Sequence, residues 1–322
     1  MNDPASTVHH RIALLDDYLG IALKAADWSR LHDCEVVAFT HPLSSEEELL
    51  AALQPFDIVM AMRERSRLAA HLLERLPRLR LLVTAGMRNA AIDMAAARAL
   101  GVMVCGTGGL SYPTAELTIA MMLDLARDIP AQQASLRAGR WQTTAGVGLN
   151  GKVLGLIGLG NLGSRVARIA RALEMQIIAW SPNLTPERAR EQGARRCEKD
   201  ELLAQADFVS IHLVLGERTR GLIGARELGL MKPSAYLVNT SRSPIVDQAA
   251  LIEALEAGRI AGAGLDVYDQ EPPPADHPIL QAPRTLLTPH IGYATRETFD
   301  VFYRDALEDI EAYLAGRPIR VI

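Results

Sequence analysis

The chain has 322 residues and a formal net charge of −4; 49% of its residues are hydrophobic and 22% are charged. This composition is ordinary for a globular protein of about two domains. The weak negative charge excludes the basic footprint of a protein that binds nucleic acid or an anionic membrane surface. The three cysteines, Cys34, Cys105 and Cys197, are widely spaced, so we expect neither a disulfide framework nor a metal site.

The N-terminal residues 1–11 contain no apolar signal-peptide region, and no apolar run in the chain is long enough for a transmembrane helix. Secretory signals and membrane-spanning helices both need such runs. We therefore expect a cytoplasmic protein without a membrane partner.

Short apolar runs alternate with amphipathic segments over the first hundred residues. The predicted strands are 12–15, 35–39, 57–62, 79–84 and 102–105, and the predicted helices lie near 18–26, 45–53, 67–76 and 92–100. This alternation is typical of a parallel sheet with helices on both faces. No glycine fingerprint occurs here, so this unit is not an obvious nucleotide site.

A long helix is predicted at 114–129, directly after Pro113. Its sequence is apolar nearly all round, which indicates burial on several sides. The pattern does not decide between a core helix and one buried in a domain or subunit interface.

The sequence KVLGLIGLGNLG, residues 152–163, is the element around which the chain is organised. A short apolar run predicts a buried strand at 153–157, and an amphipathic pattern predicts a helix at 161–174. Gly158, Gly160 and Gly163 lie between and at the start of these elements in G-x-G-x-x-G spacing. The glycines allow a tight turn, close approach of a pyrophosphate and close packing of the helix, so the segment predicts a dinucleotide site.

Further buried strands are predicted at 208–213, 235–239, 262–266 and 285–288, with a helix at 248–256 among them. Together they complete a dinucleotide-binding α/β domain over 106–291. The final helix, 295–314, is predicted to return to the first unit. We therefore expect a second domain made of residues 1–105 and 292–322.

The dinucleotide fingerprint lacks one element. An acidic residue about 20 positions after the glycines normally holds the adenosine ribose, but Ser181 follows the predicted strand 176–180. A serine neither clamps the ribose diol strongly nor repels a 2′-phosphate. NAD is therefore favoured as the cofactor, and NADP stays possible.

Three polar residues follow predicted strands of this domain: Arg242, Glu271 and His290. Functional groups of α/β sheets lie at the carboxyl ends of strands, so these side chains can converge. Hydride transfer to a 2-oxo acid needs a cation for the carboxylate and an acid for the carbonyl oxygen. Arginine and histidine suit these tasks, and a carboxylate beside the histidine favours its protonated form.

At these motifs the chain resembles the NAD-dependent D-2-hydroxyacid dehydrogenases, which include D-3-phosphoglycerate dehydrogenase and the hydroxypyruvate and glyoxylate reductases. The resemblance covers nearly the whole chain, and its most specific segments are GKVLGLIGLGNLG, MKPSAYLVNTSRSPIVD, GAGLDVYDQEP and TPHIG. It implies a Rossmann dinucleotide-binding domain, a flavodoxin-like α/β substrate domain formed by both termini, a homodimer and a small 2-oxo or 2-hydroxy acid as substrate.

The resemblance also implies roles for single residues. Arg242 would bind the substrate, Glu271 would pair with the histidine, and His290 would be the acid/base. In the loop TAGMRNAAID, the matching positions for the substrate carboxylate are Gly86, Met87 and Arg88. Asp266 would hold the nicotinamide carboxamide. Besides the three glycines and Ser181, the other matching cofactor positions are Asn161, Leu162, His212, Thr219, Thr240 and Gly292.

Several positions depart from the family pattern. Ser243 stands where a glycine usually follows the catalytic arginine, and Arg88 stands where a glycine is common in the substrate loop. Tyr293 stands where a small residue is frequent. Arg88 and Tyr293 can shape the substrate pocket, so the substrate of any one family member cannot be assumed for this chain.

The sequence therefore predicts an oxidoreductase that transfers a hydride between NAD(P)H and a small 2-oxo acid, with His290 exchanging the proton. Two alternatives stay open. A formate- or phosphite-type dehydrogenase needs no carbonyl protonation and is compatible with the same three residues. A nucleotide-sensing, corepressor-like binding module on the same fold is the non-enzymatic alternative.

Overall fold

The computed structural model describes residues 10–43 and 45–322. The chain folds into two α/β units, one that extends to Leu110 and resumes at Thr295–Ile322, and one formed by Ser111–Ala294. The expectation about a signal segment concerns residues 1–11, of which 1–9 lie outside the described residues.

The first unit contains a parallel sheet of five described strands in the order β2-β1-β3-β4-β5. This is the flavodoxin-like order, in which the direction of winding reverses between β1 and β3. Residues of β3 and β4 are buried along their full length because helices cover both faces of a parallel sheet. The strands are β1 (His10–Leu14), β2 (Cys34–Ala38), β3 (Ile58–Ala61), β4 (Leu81–Thr84) and β5 (Met103–Gly106).

The helices of the first unit are α1 (Ala22–Ala25), α2 (Glu46–Leu53), α3 (Ala70–Leu73), α4 (Met94–Ala99) and the C-terminal α12 (Arg296–Leu314). The predicted helix near 18–26 was too long. Gly20 has a φ of +63°, and the carboxylate of Asp17 accepts hydrogen bonds from the backbone N–H groups of Ile21 and Ala22. This turn delays the start of α1 and leaves Tyr18 in the loop after β1.

The predicted helix 67–76 was also too long, because its first residues are extended. Leu68 forms a parallel bridge with Ile92, and its N–H donates to the carbonyl of Ala91. Only the four residues of α3 remain helical in this segment.

The second unit contains a parallel sheet of seven described strands in the order β12-β11-β10-β9-β6-β7-β8. The chain winds outward from β6 in both directions, so the topological switch point lies between β6 and β9. The predicted fold class, a Rossmann unit with a flavodoxin-like α/β unit, is thus confirmed. The strands are β6 (Val153–Ile157), β7 (Gln176–Trp180), β8 (Arg195–Arg196), β9 (Phe208–Ile211), β10 (Tyr236–Asn239), β11 (Gly262–Leu265) and β12 (Thr285–Leu287).

The helices of the second unit are α5 (Tyr112–Arg127), α6 (Ile129–Arg137), α7 (Asn161–Ala172), α8 (Pro186–Glu191), α9 (Lys199–Gln205), α10 (Ala225–Leu230) and α11 (Gln248–Glu256). The predicted single helix 114–129 was wrong at its C-terminal end. Asp128 adopts a left-handed conformation with a φ of +51°, and Pro130 cannot continue an α-helix because it has no N–H to donate. A separate helix, α6, begins there.

Within 10–43 and 45–322, no helix is long and apolar enough to cross a bilayer. The same residues hold no cluster of three or more side chains suited to bind a metal ion.

Candidate active site

The turn from β6 to α7 is shaped by its three glycines. Gly158 has a φ of +105°, and a Cβ atom there would lie 2.6 Å from the carbonyl oxygen of His212. A Cβ atom on Gly163 would collide with the carbonyl oxygen of Gly158. A Cβ atom on Gly160 would meet nothing within 4 Å. Two of the glycines are therefore required by the packing of the protein itself, whereas the space beside Gly160 is open.

The start of α7 is not capped by any side chain. The first N–H groups of a helix have no partner within the helix, and they carry the positive end of its dipole. Those of Asn161, Leu162 and Gly163 therefore lie beside the open space at Gly160, where N–H groups of a helix start can donate to an anion.

His212 follows β9, directly across the switch point from the glycine turn. Its Nε2 atom lies 2.9 Å from the hydroxyl of Ser210, while its Nδ1 atom is buried without a hydrogen-bond partner among the described residues. Burial lowers the pKa of the imidazole to about 3, so this histidine stays neutral at physiological pH. A buried polar atom without a partner is costly, and it marks a place where a ligand can bind.

The loop after β9 is held by Thr219. Its hydroxyl donates to the carbonyl of Val214, 2.8 Å away, and accepts from the N–H of Gly216 at 2.9 Å. The side chain of Val214 is 80% exposed. Thr219 therefore orders a turn that presents an apolar surface at the carboxyl end of β9.

Ser181 follows β7 and is half-buried. The last carbonyl of that strand, at Trp180, accepts the N–H of Gly158 at 2.8 Å, which joins the strand end to the glycine turn. The segment Ser-Pro-Asn-Leu at 181–184 contains no carboxylate. No acidic side chain of this segment can bind a ribose diol or repel a 2′-phosphate.

Glu271 and His290 are brought together by the structure. The Nδ1 atom of His290 lies 2.5 Å from Oε2 of Glu271, and Oε1 of the same carboxylate accepts the N–H of Tyr268 at 3.0 Å. The imidazole side chain is 17% exposed and the carboxylate side chain 24%. Because Nδ1 is engaged by the carboxylate, Nε2 is the nitrogen left to exchange a proton with a substrate.

The loop that carries His290 is anchored on Asp266, which is fully buried. One carboxylate oxygen accepts from the hydroxyl of Thr288 at 2.6 Å and from the N–H of Ile291 at 2.8 Å. The other accepts from the N–H of Gly292 at 2.8 Å. Burial raises the pKa of Asp266, and these hydrogen bonds oppose that rise. The anchoring matters because His290 itself has a φ of +53°, which is unfavourable for a residue with a side chain.

Arg242 follows β10 on a turn built by the buried Asn239. The amide of Asn239 accepts from the N–H of Ser241 and donates to the carbonyl of Arg242, both at 3.0 Å. The hydroxyl of Ser243 donates to the carboxylate of Asp269 at 2.8 Å. Ser243 therefore ties the loop of Arg242 to the loop that bears Glu271.

Thr240 and Gly292 both lie against α5. The hydroxyl of Thr240 is 2.9 Å from that of Thr118, and the carbonyl of Gly292 accepts the hydroxyl of Thr114 at 2.9 Å. The structure therefore places the loops of these two predicted cofactor positions against the same helix.

In the first unit, the loop of Gly86, Met87 and Arg88 follows β4. The N–H of Gly86 donates to the hydroxyl of Thr107 at 2.8 Å, whereas no hydrogen bond engages the N–H of Met87 or Arg88 within the described part of the chain. The guanidinium of Arg63 lies over Gly86, with Nη1 2.8 Å from where a Cβ would be. This loop thus offers two backbone N–H donors, with the guanidinium of Arg63 nearby.

The sequence reasoning missed several residues that shape these loops. Asn239 and Thr107 are polar residues at or just after the end of a buried strand, a signal that was available. Thr114 and Thr118 lie four residues apart on a helix whose other side chains are mostly apolar. Their spacing predicts that both hydroxyls lie on one face of the helix. It does not predict which loops they contact.

Residues 119–292 match the model of the D-isomer specific 2-hydroxyacid dehydrogenase, NAD binding domain, family. The chain belongs to the D-isomer specific 2-hydroxyacid dehydrogenases. The match covers more than half of the 322 residues, including all of the glycine turn and the Glu271–His290 pair.

Two curated relatives extend the similarity to most of the chain. A D-3-phosphoglycerate dehydrogenase of Archaeoglobus fulgidus is 37% identical over 303 residues, which cover 93% of this chain and 57% of that protein. A glyoxylate reductase of Aeropyrum pernix is 38% identical over 299 residues, which cover 90% of this chain and 89% of that protein. The chain spans about half the length of the D-3-phosphoglycerate dehydrogenases that it matches.

Solved structures have the same fold. A phosphoglycerate oxidoreductase of Vibrio cholerae is 32% identical, with a TM-score of 0.91 over 95% of this chain and 99% of that one. The D-lactate dehydrogenase of Aquifex aeolicus, solved in complex with NAD and lactic acid, is 25% identical, with a TM-score of 0.78 over 95% of this chain and 96% of that one.

Proposed function

We propose that this dehydrogenase reduces a small 2-oxo acid to the D-2-hydroxy acid, or catalyses the reverse oxidation, with His290 as the proton donor and acceptor. The observation that carries the proposal is the Glu271–His290 pair, 2.5 Å apart. It lies at the carboxyl edge of a sheet whose β6–α7 turn leaves open space beside Gly160.

The second unit fits NAD on three observations. Gly160 has free space where a pyrophosphate would approach, the N-terminus of α7 has no side-chain cap, and Nδ1 of His212 is buried without a partner. We assign the pyrophosphate to the N–H groups of Asn161, Leu162 and Gly163. We assign six further residues to the cofactor site: Gly158, Ser181, Thr219, Thr240, Asp266 and Gly292.

A nicotinamide bound here would supply the hydride that the carbonyl carbon accepts. The protonated imidazole of His290 donates its Nε2 proton to the carbonyl oxygen, so that the C=O group becomes an alcohol. In the reverse direction neutral His290 accepts the hydroxyl proton at the same nitrogen. Glu271 holds Nδ1–H in both directions and stabilises the charged imidazole.

The substrate carboxylate requires cationic or N–H donors. We assign it to the guanidinium of Arg242, which can bind a carboxylate in a bidentate manner, and to the loop of Gly86, Met87 and Arg88. Because Thr107 already engages the N–H of Gly86, the N–H groups of Met87 and Arg88 are the donors we assign there.

For the cofactor we propose NAD(H), with NADP(H) accepted at lower affinity. Ser181 can hydrogen-bond a ribose hydroxyl, but it lacks the charge that would exclude a 2′-phosphate. Absence of a carboxylate at 181–184 supports tolerance of both cofactors rather than strict selection.

We also propose a cytoplasmic homodimer. Apolar residues on α6 and the segment after it are exposed, at 53% for Ile129, 58% for Leu136 and 76% for Trp141. Large exposed apolar patches favour protein association. The cysteines in the described residues are free thiols, as is usual in a reducing compartment. Light scattering after gel filtration tests the dimer.

The function is tested by assaying purified enzyme with glyoxylate, hydroxypyruvate, pyruvate and 3-phosphohydroxypyruvate against NADH and NADPH, followed by loss of nicotinamide absorbance. We expect turnover of at least one 2-oxo acid and the D-enantiomer of its product. Oxidation of formate or phosphite without reduction of any 2-oxo acid would establish the alternative dehydrogenase. Nucleotide binding without any turnover would support the binding module instead.

A further inference from the structure

Helix α5 packs directly on the sheet of the second unit, against Gly264 of β11. A Cβ atom on Gly264 of β11 would lie 3.1 Å from Leu125 and 3.4 Å from Met121. A side chain at position 264 would therefore require these two side chains of α5 to shift. The close packing brings Thr114 and Thr118, one turn apart on α5, within hydrogen-bond reach of the loops after β10 and β12.

Thr114 completes the anchoring of the His290 loop. Its hydroxyl donates to the carbonyl of Gly292 at 2.9 Å, while the N–H of the same glycine donates to Asp266 at 2.8 Å. The peptide groups that follow His290 are thus bound on one side by a buried carboxylate and on the other by a helix. Thr114 also lies close to Gly292, since a Cβ atom added to Gly292 would lie 3.1 Å from Cγ2 of Thr114.

Thr118 binds the loop that carries Arg242. The fully buried hydroxyl of Thr118 lies 2.8 Å from the carbonyl of Thr114 and 2.9 Å from the hydroxyl of Thr240. A hydroxyl has one proton to donate. Since the carbonyl can only accept, Thr118 donates to it and accepts from Thr240. The direction of this hydrogen bond chain is therefore determined, from Thr240 through Thr118 to the backbone of α5.

We infer that Thr114 and Thr118 are positioning residues for the reaction proposed above. Thr114 holds the loop of His290 and Thr118 holds the loop of Arg242, both against helix α5. The inference rests on the proposed function of those two side chains. Loss of the Thr114 hydroxyl leaves the Gly292 carbonyl without its partner and allows the His290 loop to shift. His290 then loses part of its alignment with Glu271, which weakens the stabilisation of the charged imidazole.

The test compares Thr114→Val, which keeps the branched shape without the hydroxyl, with Thr114→Ser, which keeps the hydroxyl. The matched control is Thr285→Val. Thr285 likewise donates to a backbone carbonyl, that of Ala282 at 3.0 Å, but it lies at the start of β12 and away from the His290 loop. Two quantities are measured in each variant: the midpoint of the His290 imidazole titration by NMR, and kcat and KM for the substrate and NADH.

In Thr114→Val we expect kcat to fall about tenfold; the KM for NADH should change less, because Gly292 is only one of the assigned cofactor positions. The His290 titration should differ from that of the wild type, because the imidazole is less well paired with Glu271. Thr114→Ser should restore both values, and Thr285→Val should change neither. Thr118→Val should lower kcat and raise the substrate KM through Arg242 without moving the His290 titration.

A Thr114→Val variant with a lower Tm but with wild-type kcat and His290 titration would overturn the inference, as would an equal effect of Thr285→Val. If Thr114→Val does not fold, Thr114→Ala takes its place in the same measurements. If the wild-type enzyme reduces no 2-oxo acid, the proposed function fails, whereas the His290 titration, which needs no turnover, still decides the role of Thr114.

Discussion

The two sheets reverse their winding at equivalent places, between β1 and β3 in the first unit and between β6 and β9 in the second. At the first switch point, side chains that follow β1 and β3 hydrogen-bond to one another. Asp16, only 8% exposed, accepts the hydroxyls of Tyr18 and Ser66 at 2.8 and 2.9 Å. At the second, the glycine turn leaves the space beside Gly160 open.

This difference shows that strand order alone does not create a nucleotide site. Both switch points satisfy the topological rule for ligand binding. The first carries a hydrogen-bonded cluster of Asp16, Tyr18 and Ser66, whereas the second is bordered by N–H groups of α7 and the unsatisfied Nδ1 of His212. We therefore expect mutations at the second switch point and its neighbouring loops to affect function, and mutations at the first to affect stability.

The largest expected effect is that of His290→Gln. Glutamine can accept a hydrogen bond but cannot exchange a proton near neutral pH, so we expect kcat for 2-oxo acid reduction to fall about a thousandfold. NADH affinity, measured by fluorescence titration, should stay near the wild-type value because the glycine turn is unchanged. Turnover at the wild-type rate would refute the acid/base assignment.

The next largest effect is expected for Gly160→Asp. A Cβ atom fits at this position, and aspartate is a favourable N-cap for α7, so the Tm should not fall. NADH affinity should drop about a hundredfold, because the added carboxylate repels the diphosphate. Gly160→Asn, which has the same shape without the charge, is the control and should lose less affinity. Undiminished NADH binding by both variants would place the dinucleotide elsewhere.

At the first switch point, Tyr18→Phe removes the hydroxyl that donates to Asp16. We expect a loss of about 1 kcal/mol in the free energy of unfolding, the usual cost of one such hydrogen bond, measured by urea denaturation. NADH affinity should not change. A large loss of NADH affinity would contradict the separation of the two crevices into a structural and a ligand-binding one.

The smallest effect is a change in pH dependence with Asp16→Asn. Burial raises the pKa of Asp16 above its ordinary value, against the hydrogen bonds from Tyr18 and Ser66 and the charge of Arg65. A raised pKa stabilises the fold at low pH, and this contribution is lost as the pH rises through the folded-state value. The wild type should therefore lose more stability than Asp16→Asn between acidic and neutral pH in thermal denaturation. Parallel stability curves would show that Asp16 is not desolvated.

Much of the fold could be predicted because it depends on local patterns. The buried strands around the glycine turn, the glycine spacing and the helix Gln248–Glu256 follow from apolar runs and periodicity that any segment carries by itself. Where the predicted helix bounds were wrong, the local backbone conformation determined where the helix begins or ends. The left-handed Asp128 ended α5, and the Asp17 cap shortened α1.

The sequence by itself determined the alternation of strands and helices, the dinucleotide turn and the types of residue available for chemistry, because these depend on neighbours along the chain. The tertiary structure alone decided that Glu271 meets Nδ1 of His290, that His212 keeps an unsatisfied nitrogen and that two threonines of α5 bind loops over 120 residues away. These features depend on residues that are far apart along the chain, and their sequence separation does not predict how close they lie in space. They arise only when the parallel strands align their carboxyl ends.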